Sequence, residues 1–199
     1  KYEDLGISER VFHMAWTHSH VALRQLNATE EDAQLYGRLA GALIYANPSR
    51  RANPAVLMKN RRGQSDLWAY GISGDLPILL LRISDHANIR LVRQLIQAHG
   101  YWRMKGLAID LVIWNEEHGS YRQPLQEEIL GLIPGAPHAA PDQRGGIFLR
   151  PAAQMSEEDR MLFESVARVV LSDSAGTLAE QLERRGKAEP AVPALRPAL

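Results

Sequence analysis

Three acidic side chains in this sequence stand where carboxylate chemistry is feasible. Glu116 lies in "WNEEHGSY" (residues 114–121), directly after the apolar run "LAIDLVIW". An Asn–Glu pair at the carboxyl end of a strand suits retaining glycoside hydrolysis, with Glu116 protonating a glycosidic oxygen beside Asn115. That chemistry needs a second carboxylate about 5 Å away, supplied by another strand end. "RISDH" offers Asp85 there, and "GISGDLPILLL" (residues 71–81) offers Asp75 at the other end of the same apolar run. The opposing reading is an exposed acidic loop that caps the next helix, and it is favoured because three or four strands cannot close an eight-stranded barrel.

Ser73 in "GISGD" raises a different possibility, a nucleophile. A nucleophile elbow has Gly-x-Ser-x-Gly spacing and follows a strand. Here the spacing differs and the stretch precedes the strand. The sequence therefore reads as a turn: Gly71 and Gly74 allow positive φ, Asp75 bonds local amides, and Pro77 opens the strand.

A third chemistry is sugar stacking. "RRGQSDLWAYG" combines Arg61, Arg62, Gln64, Trp68 and Tyr70, aromatic faces beside planar polar side chains, and Trp102 with Tyr101 extends the candidate platform. The alternative is that these aromatics pack between layers. "HMAWTHSH" places His13, His18 and His20 close together, but none are i, i+4 partners and no third ligand is evident, so no metal site is expected. Neither a Gly-x-x-x-x-Gly-Lys-[Ser/Thr] loop nor a Gly-x-Gly-x-x-Gly fingerprint is present, and no cofactor is expected.

The elements that must position these residues follow from periodicity. Ser8 is a plausible cap for a helix carrying Phe12, Trp16, Leu23 and Leu26, and Thr29 with Glu30–Asp32 restarts a second helix along Leu35, Leu39 and Leu43. Asn47-Pro48 stops it, making a helical hairpin, and a short helix over Pro54–Lys59 follows. "PILLLRI", "LAIDLVIW" and "GIFLR" read as buried strands separated by helices over about 85–106, 124–133 and 156–166. "RVVLS" is either a last strand or the end of that helix. The fold class is α/β: an N-terminal helical hairpin, then a small, mainly parallel three- to four-stranded sheet with crossover helices, then a Pro-rich linker. The expected division is a helical segment over 1–62, a small α/β domain over 63–175, and a short helix with Pro-rich linker over 176–199 leading to a further domain. The start at Lys1 suggests the cut end of something longer.

Composition narrows the partners. With 23 basic and 23 acidic residues there is no electrostatic footprint for nucleic acid or an anionic membrane. The absence of cysteine removes disulfides, thiolate metal sites and cysteine nucleophiles, and suits a cytoplasmic setting. No apolar run approaches the roughly 20 residues needed to span a bilayer, so no direct membrane insertion is expected.

Several long stretches, in order, carry a resemblance: "SERVFHMAWTHSHVALRQLNATEEDAQLYGRLAGALIYANP", "NRRGQSDLWAYGISGDLPILLLRI", "YWRMKGLAIDLVIWNEE", "YRQPLQEEI", "GGIFLRP" and "ARVVLSDSAGTLAEQLE". Together they resemble cyclic β-1,2-glucan synthase over nearly the whole chain. The resemblance implies a very large bacterial inner-membrane parent with a glycosyltransferase part using UDP-glucose, a cyclising segment, and a C-terminal part related to cellobiose phosphorylase. That last part is built from β-sandwich modules followed by an (α/α)₆ barrel bearing the catalytic acid. The present chain resembles the region joining two β-sandwich modules, upstream of the barrel, on the cytoplasmic side of the membrane. None of the family's catalytic residues maps onto it.

Two functions follow as expectations. The first is a non-catalytic connecting domain whose partners are the flanking β-sandwich and catalytic modules, touching β-1,2-glucan through Trp68, Tyr70, Arg62 or Trp102. The second is a carbohydrate-active catalytic or glucan-binding domain that uses Glu116 with Asp85 or Asp75.

Overall fold

The computed structural model describes residues 5–117, 124–133 and 141–184. The chain runs through α1 (Leu5–Gln25), α2 (Glu30–Tyr45), α3 (Pro54–Lys59), β1 (Ile78–Ile83), α4 (Ile89–Met104), β2 (Asp110–Asn115), α5 (Pro124–Leu132), β3 (Ile147–Pro151), α6 (Glu157–Val166), β4 (Val169–Ser172) and α7 (Leu178–Glu183). The α/β expectation is met, and "RVVLS" resolves as a strand. The Pro-rich stretch after residue 184 lies outside the described residues.

Local chemistry explains most of these bounds. Thr29 and Asp32 form a reciprocal capping box at the start of α2: the Thr29 hydroxyl accepts from Asp32 N–H and the Asp32 carboxylate accepts from Thr29 N–H. Asn53 caps α3, whose first residue is Pro54. One expectation needs correction: α1 already runs from Leu5, so Ser8 lies inside the helix instead of capping it.

All four strands are parallel, in the spatial order β3-β2-β1-β4. Successive side chains alternate between two faces, and both faces are apolar. Leu79, Leu81 and Ile83 of β1 join Leu111, Ile113 and Leu171 in one core with α4 and α5, which also takes in Tyr36, Leu39 and Leu43 of α2. Leu80, Val112, Trp114 and Phe148 face a second core with Leu67, Leu162 and Phe163. The helical hairpin's second arm thus shares a core with the sheet, and the Trp102 indole N–H donates to Tyr36 O at 2.9 Å to fix α4 against α2.

The order has a topological consequence. The crossovers through α4 and α5 step outward across one face, and the crossover through α6 steps back across the other. Reversing both direction and face preserves handedness, as parallel crossovers require. The chain's direction across the sheet therefore reverses between β1 and β4. The carboxyl ends of those two strands form the switch point, where open α/β sheets gather their ligands.

Two buried polar groups lock the opposite, amino end. His99 is fully buried, and its Nε2–H donates to Gly145 O at 3.1 Å and Ile109 O at 3.3 Å. Burial pushes its pKa down to about 4, so it is a neutral structural imidazole at physiological pH. Asp110 accepts from Gly145 N–H at 2.7 Å, and burial pushes its carboxyl up. Together they tie the segment before β3 to the start of β2.

Candidate functional site

At the switch point the crevice is filled by the chain's own carboxylate. Asp173, directly after β4, accepts through Oδ2 from the backbone N–H groups of Ser84 and Asp85, both at 2.9 Å. The Ser84 hydroxyl and the Asn88 amide approach the same oxygen at 3.3 and 3.5 Å. These donors hang from the end of β1, where a doubly wound sheet presents N–H groups to an anionic ligand. Burial raises the Asp173 pKa, but the N–H groups of Ser84 and Asp85 outweigh it and hold the carboxyl below its usual range. Sequence reading missed Asp173. The signal was an acid immediately after an apolar run, which counts only once that run is known to be a strand beside β1.

The predicted acids are also committed. Asp85 accepts from Ala87 N–H at 2.8 Å and caps the 3₁₀ turn His86–Asn88 that leads into α4. Glu116 accepts both arms of one guanidinium, with Arg82 Nε to Oε1 at 2.8 Å and Nη2 to Oε2 at 3.4 Å. The third nitrogen of Arg82 donates to Glu164 of α6 at 3.2 Å. Arg82 thus links β1 to the end of β2 and to α6, and its bidentate hold is the geometry expected of a positioning ion pair. His118 to Tyr121, the rest of "WNEEHGSY", lie outside the described residues.

Beside the switch point a depression of about 520 Å³ is lined by Asp32, Asn88, Arg90, Gln94, Asp173 and Glu180, among others. Two of its acids are used internally as well. Asp32 is engaged by Thr29 and Gln94, and Glu180 closes the capping box of Thr177.

The proposed sugar platform separates into three places. Trp102 is buried in the core against α2, on the far side of the sheet from Trp68. Tyr70 donates its hydroxyl to Asp159 Oδ2 at 2.8 Å, and Arg62 Nη1 meets Asp159 Oδ1 at 2.5 Å. Ser156 adds a third contact, so Asp159 binds the strap before β1 to the start of α6. Burial and then this acceptor push the Tyr70 hydroxyl up to about 12. Burial raises the Asp159 pKa, but Ser156, Tyr70 and Arg62 more than compensate and hold it low. Trp68 is the most exposed of the four, at 64%, with its indole N–H donating to Ser73 O at 3.4 Å.

Asp75 sits at the amino end, away from Glu116 and Asp85. Its loop is the turn the sequence implied, with Gly71 at φ +74° and Gly74 at φ +75°. Gln64 crosses under that turn and donates to Ser73 O at 2.8 Å and Asp75 Oδ1 at 3.1 Å. A cleft of about 480 Å³ opens there, lined by Gln64, Asp75, Arg51, Ser165 and Arg168 with apolar neighbours. Of the histidines, His20 Nε2 lies 3.3 Å from Glu30, and its ring centroid lies 3.9 Å from that of Trp16, the planes tilted by 54°. No cluster of three metal-ligating side chains occurs among the described residues.

No family model matches this chain. Among curated proteins it is similar to the cyclic beta-(1,2)-glucan synthase NdvB of Rhizobium meliloti (strain 1021), with 32% identity over 179 residues. The match covers 85% of this chain and 6% of that relative, so the chain spans only a small fraction of the relative's length.

Proposed function

From a chain that is related to a segment of a cyclic β-1,2-glucan synthase, we propose a non-catalytic connecting domain within such an enzyme. The observation that carries this reading is the self-occupied carboxyl end of the sheet. Asp173 fills the switch-point donors, Asp85 caps a turn, and Glu116 is clamped by Arg82. A general acid must be able to turn toward a substrate oxygen, and Glu116, with both oxygens on Arg82, would first have to abandon that partner, while Asp173 and Asp85 are each oriented by backbone N–H groups of the turn after β1.

Helix α1 supports the connecting half of the proposal. Ile7, Val11, Phe12, Met14 and Trp16 are all exposed, and Phe12 reaches 76%. Toward its far end the helix is anchored through Leu23 and the Lys105–Ser19 hydrogen bond at 3.0 Å. Solvent-facing aromatic and aliphatic groups gathered on one helix mark an interaction surface. The occupant in this reading is another part of the same long polypeptide, a flanking β-sandwich module of a phosphorylase-like region. The parent is proposed to be anchored in the bacterial inner membrane, with this segment on the cytoplasmic side. No helix among the described residues is long and apolar enough to cross a membrane.

The test is the intact synthase carrying Phe12→Asp together with Trp16→Asp. Both side chains are exposed and outside the two cores, so the substitutions cost the segment only the Trp16 ring contacts with His20 and His13. Reduced cyclic glucan output, with the transferase and phosphorylase-like parts no longer protecting one another from protease, is the expected result. A synthase indifferent to both substitutions would contradict the connecting role.

A further inference from the structure

We propose that Trp68 and the cleft at the amino ends of β1 and β4 form a contact site for a neutral glucan chain. The proposal rests on the parentage argued above, but the connecting role does not depend on it. Trp68 projects from the 3₁₀ segment Gln64–Tyr70 with its indole N–H spent on Ser73 O. That bond fixes the edge of the ring and leaves its faces to solvent. No aromatic ring packs on it among the described residues. A glucose unit offers an indole its flat C–H face, and burying that pair stabilises without any charge.

The groove beside the ring supplies the polar half of such a site. Gln64 donates to the same Ser73 carbonyl, so its side chain lies next to the indole edge and leads into the cleft. Two donors in the lining lack partners among the described residues. Arg51 donates through Nη2 to Ser165 O at 2.7 Å, yet its buried Nε has none, and the Arg168 guanidinium makes no hydrogen bond or ion pair. On the opposite wall the exposed Asp75 carboxylate holds only Gln64 and a loose contact with Arg144 at 3.9 Å. Hydroxyl groups donate and accept at once, so they satisfy guanidinium donors and a carboxylate acceptor in one groove. A phosphate would meet the arginines but be repelled by Asp75. The mixed lining favours a neutral polyol, and the exposed platform favours a chain over a single enclosed sugar.

The decisive experiment is calorimetric titration of the 199-residue chain with β-1,2-linked glucooligosaccharides. Heat is preferred to fluorescence because removing Trp68 would remove its own signal. Saturable binding is expected, weakened at least tenfold by Trp68→Ala and largely restored by Trp68→Tyr. Trp16→Phe, distant on α1, should leave it unchanged. Equal affinity in the parent and Trp68→Ala chains would overturn the proposal, as would no heat from a parent chain with the circular dichroism of an α/β fold. Binding of UDP-glucose without the oligosaccharide would also overturn it, by showing that the arginines select phosphate. None of these failures bears on the α1 test, which reads the intact synthase.

Discussion

At the carboxyl ends of the strands Asp173, Asp85 and Glu116 each bond donors of their own chain, whereas at the amino ends Arg51 Nε and the Arg168 guanidinium have no partner among the described residues and the indole of Trp68 is exposed. The two ends belong to one sheet and are set by the same register. The usual expectation places ligands at the carboxyl end of such a sheet. Here that end has the right topology, with a reversal between β1 and β4, but its donors are already filled. Topology says where donors converge, and the accounting of partners says whether a ligand is needed there.

The sharpest way to break this comparison is to empty the switch point. Asp173→Ala would remove the charged acceptor of two part-buried backbone N–H groups, where a hydrogen bond to a charged group contributes about 1.5–3 kcal/mol. A loss of roughly 3 kcal/mol in urea unfolding is expected, with glucan binding at the opposite end unchanged. A loss below about 1 kcal/mol would mean that water or a ligand can replace the carboxylate, and that the crevice is a site.

Acid titration distinguishes the two ends without mutation. His99 has a folded pKa depressed from 6.5 to about 4, so the unfolded chain binds its proton first as pH falls. The stability at stake is present above pH 6.5 and is lost as pH drops toward about 4, amounting to about 3 kcal/mol. Asp110 opposes this, because its raised pKa makes the folded chain bind a proton more readily. Asp173 and Asp159 have depressed values, so their contribution is present above the ordinary carboxylate range and is lost only below it. Two acid phases are therefore expected by circular dichroism, and His99→Gln should flatten the upper one. A single phase insensitive to that change would contradict the account of the amino end.

Smaller effects sharpen the picture further. Gly74→Ala forces an L-residue into positive φ, and its Cβ would meet Gln64 Cγ at 2.8 Å. About 1–2 kcal/mol of destabilisation is expected, together with weaker oligosaccharide binding as Gln64 shifts. Arg82→Gln should matter least. The guanidinium is 40% exposed, and partly solvated pairs of this kind contribute about 1 kcal/mol or less.

Much of the framework was readable because its signals are local. Thr29 with Asp32, Asn53 before Pro54 and the glycines of "GISGD" each act within a few residues, and each element forms where expected. "RVVLS" was ambiguous because four residues cannot display a period, and only pairing beside β1 makes it a strand. The site was harder for the same reason. Trp68 and Trp102 look alike as letters. Trp102, however, continues the stripe of Leu91, Leu95 and Ala98 along α4, a periodicity that marks the core. Trp68 belongs to no stripe. Asp173 and Arg168 gained meaning only when strand order brought β4 beside β1.

The central claim, that the carboxyl-end acids hold the fold and perform no chemistry, is tested most directly by cyclic glucan formation in the intact synthase carrying Glu116→Gln with Asp85→Asn. Asn preserves the cap, Gln keeps one acceptor for Arg82, and the lost ion pair is a partly solvated one, so folding should survive. The account predicts a rate within about twofold of the parent, since no proton is transferred by either group. A fall on the order of 10²-fold or more in a folded enzyme would contradict it and make Glu116 a catalytic acid.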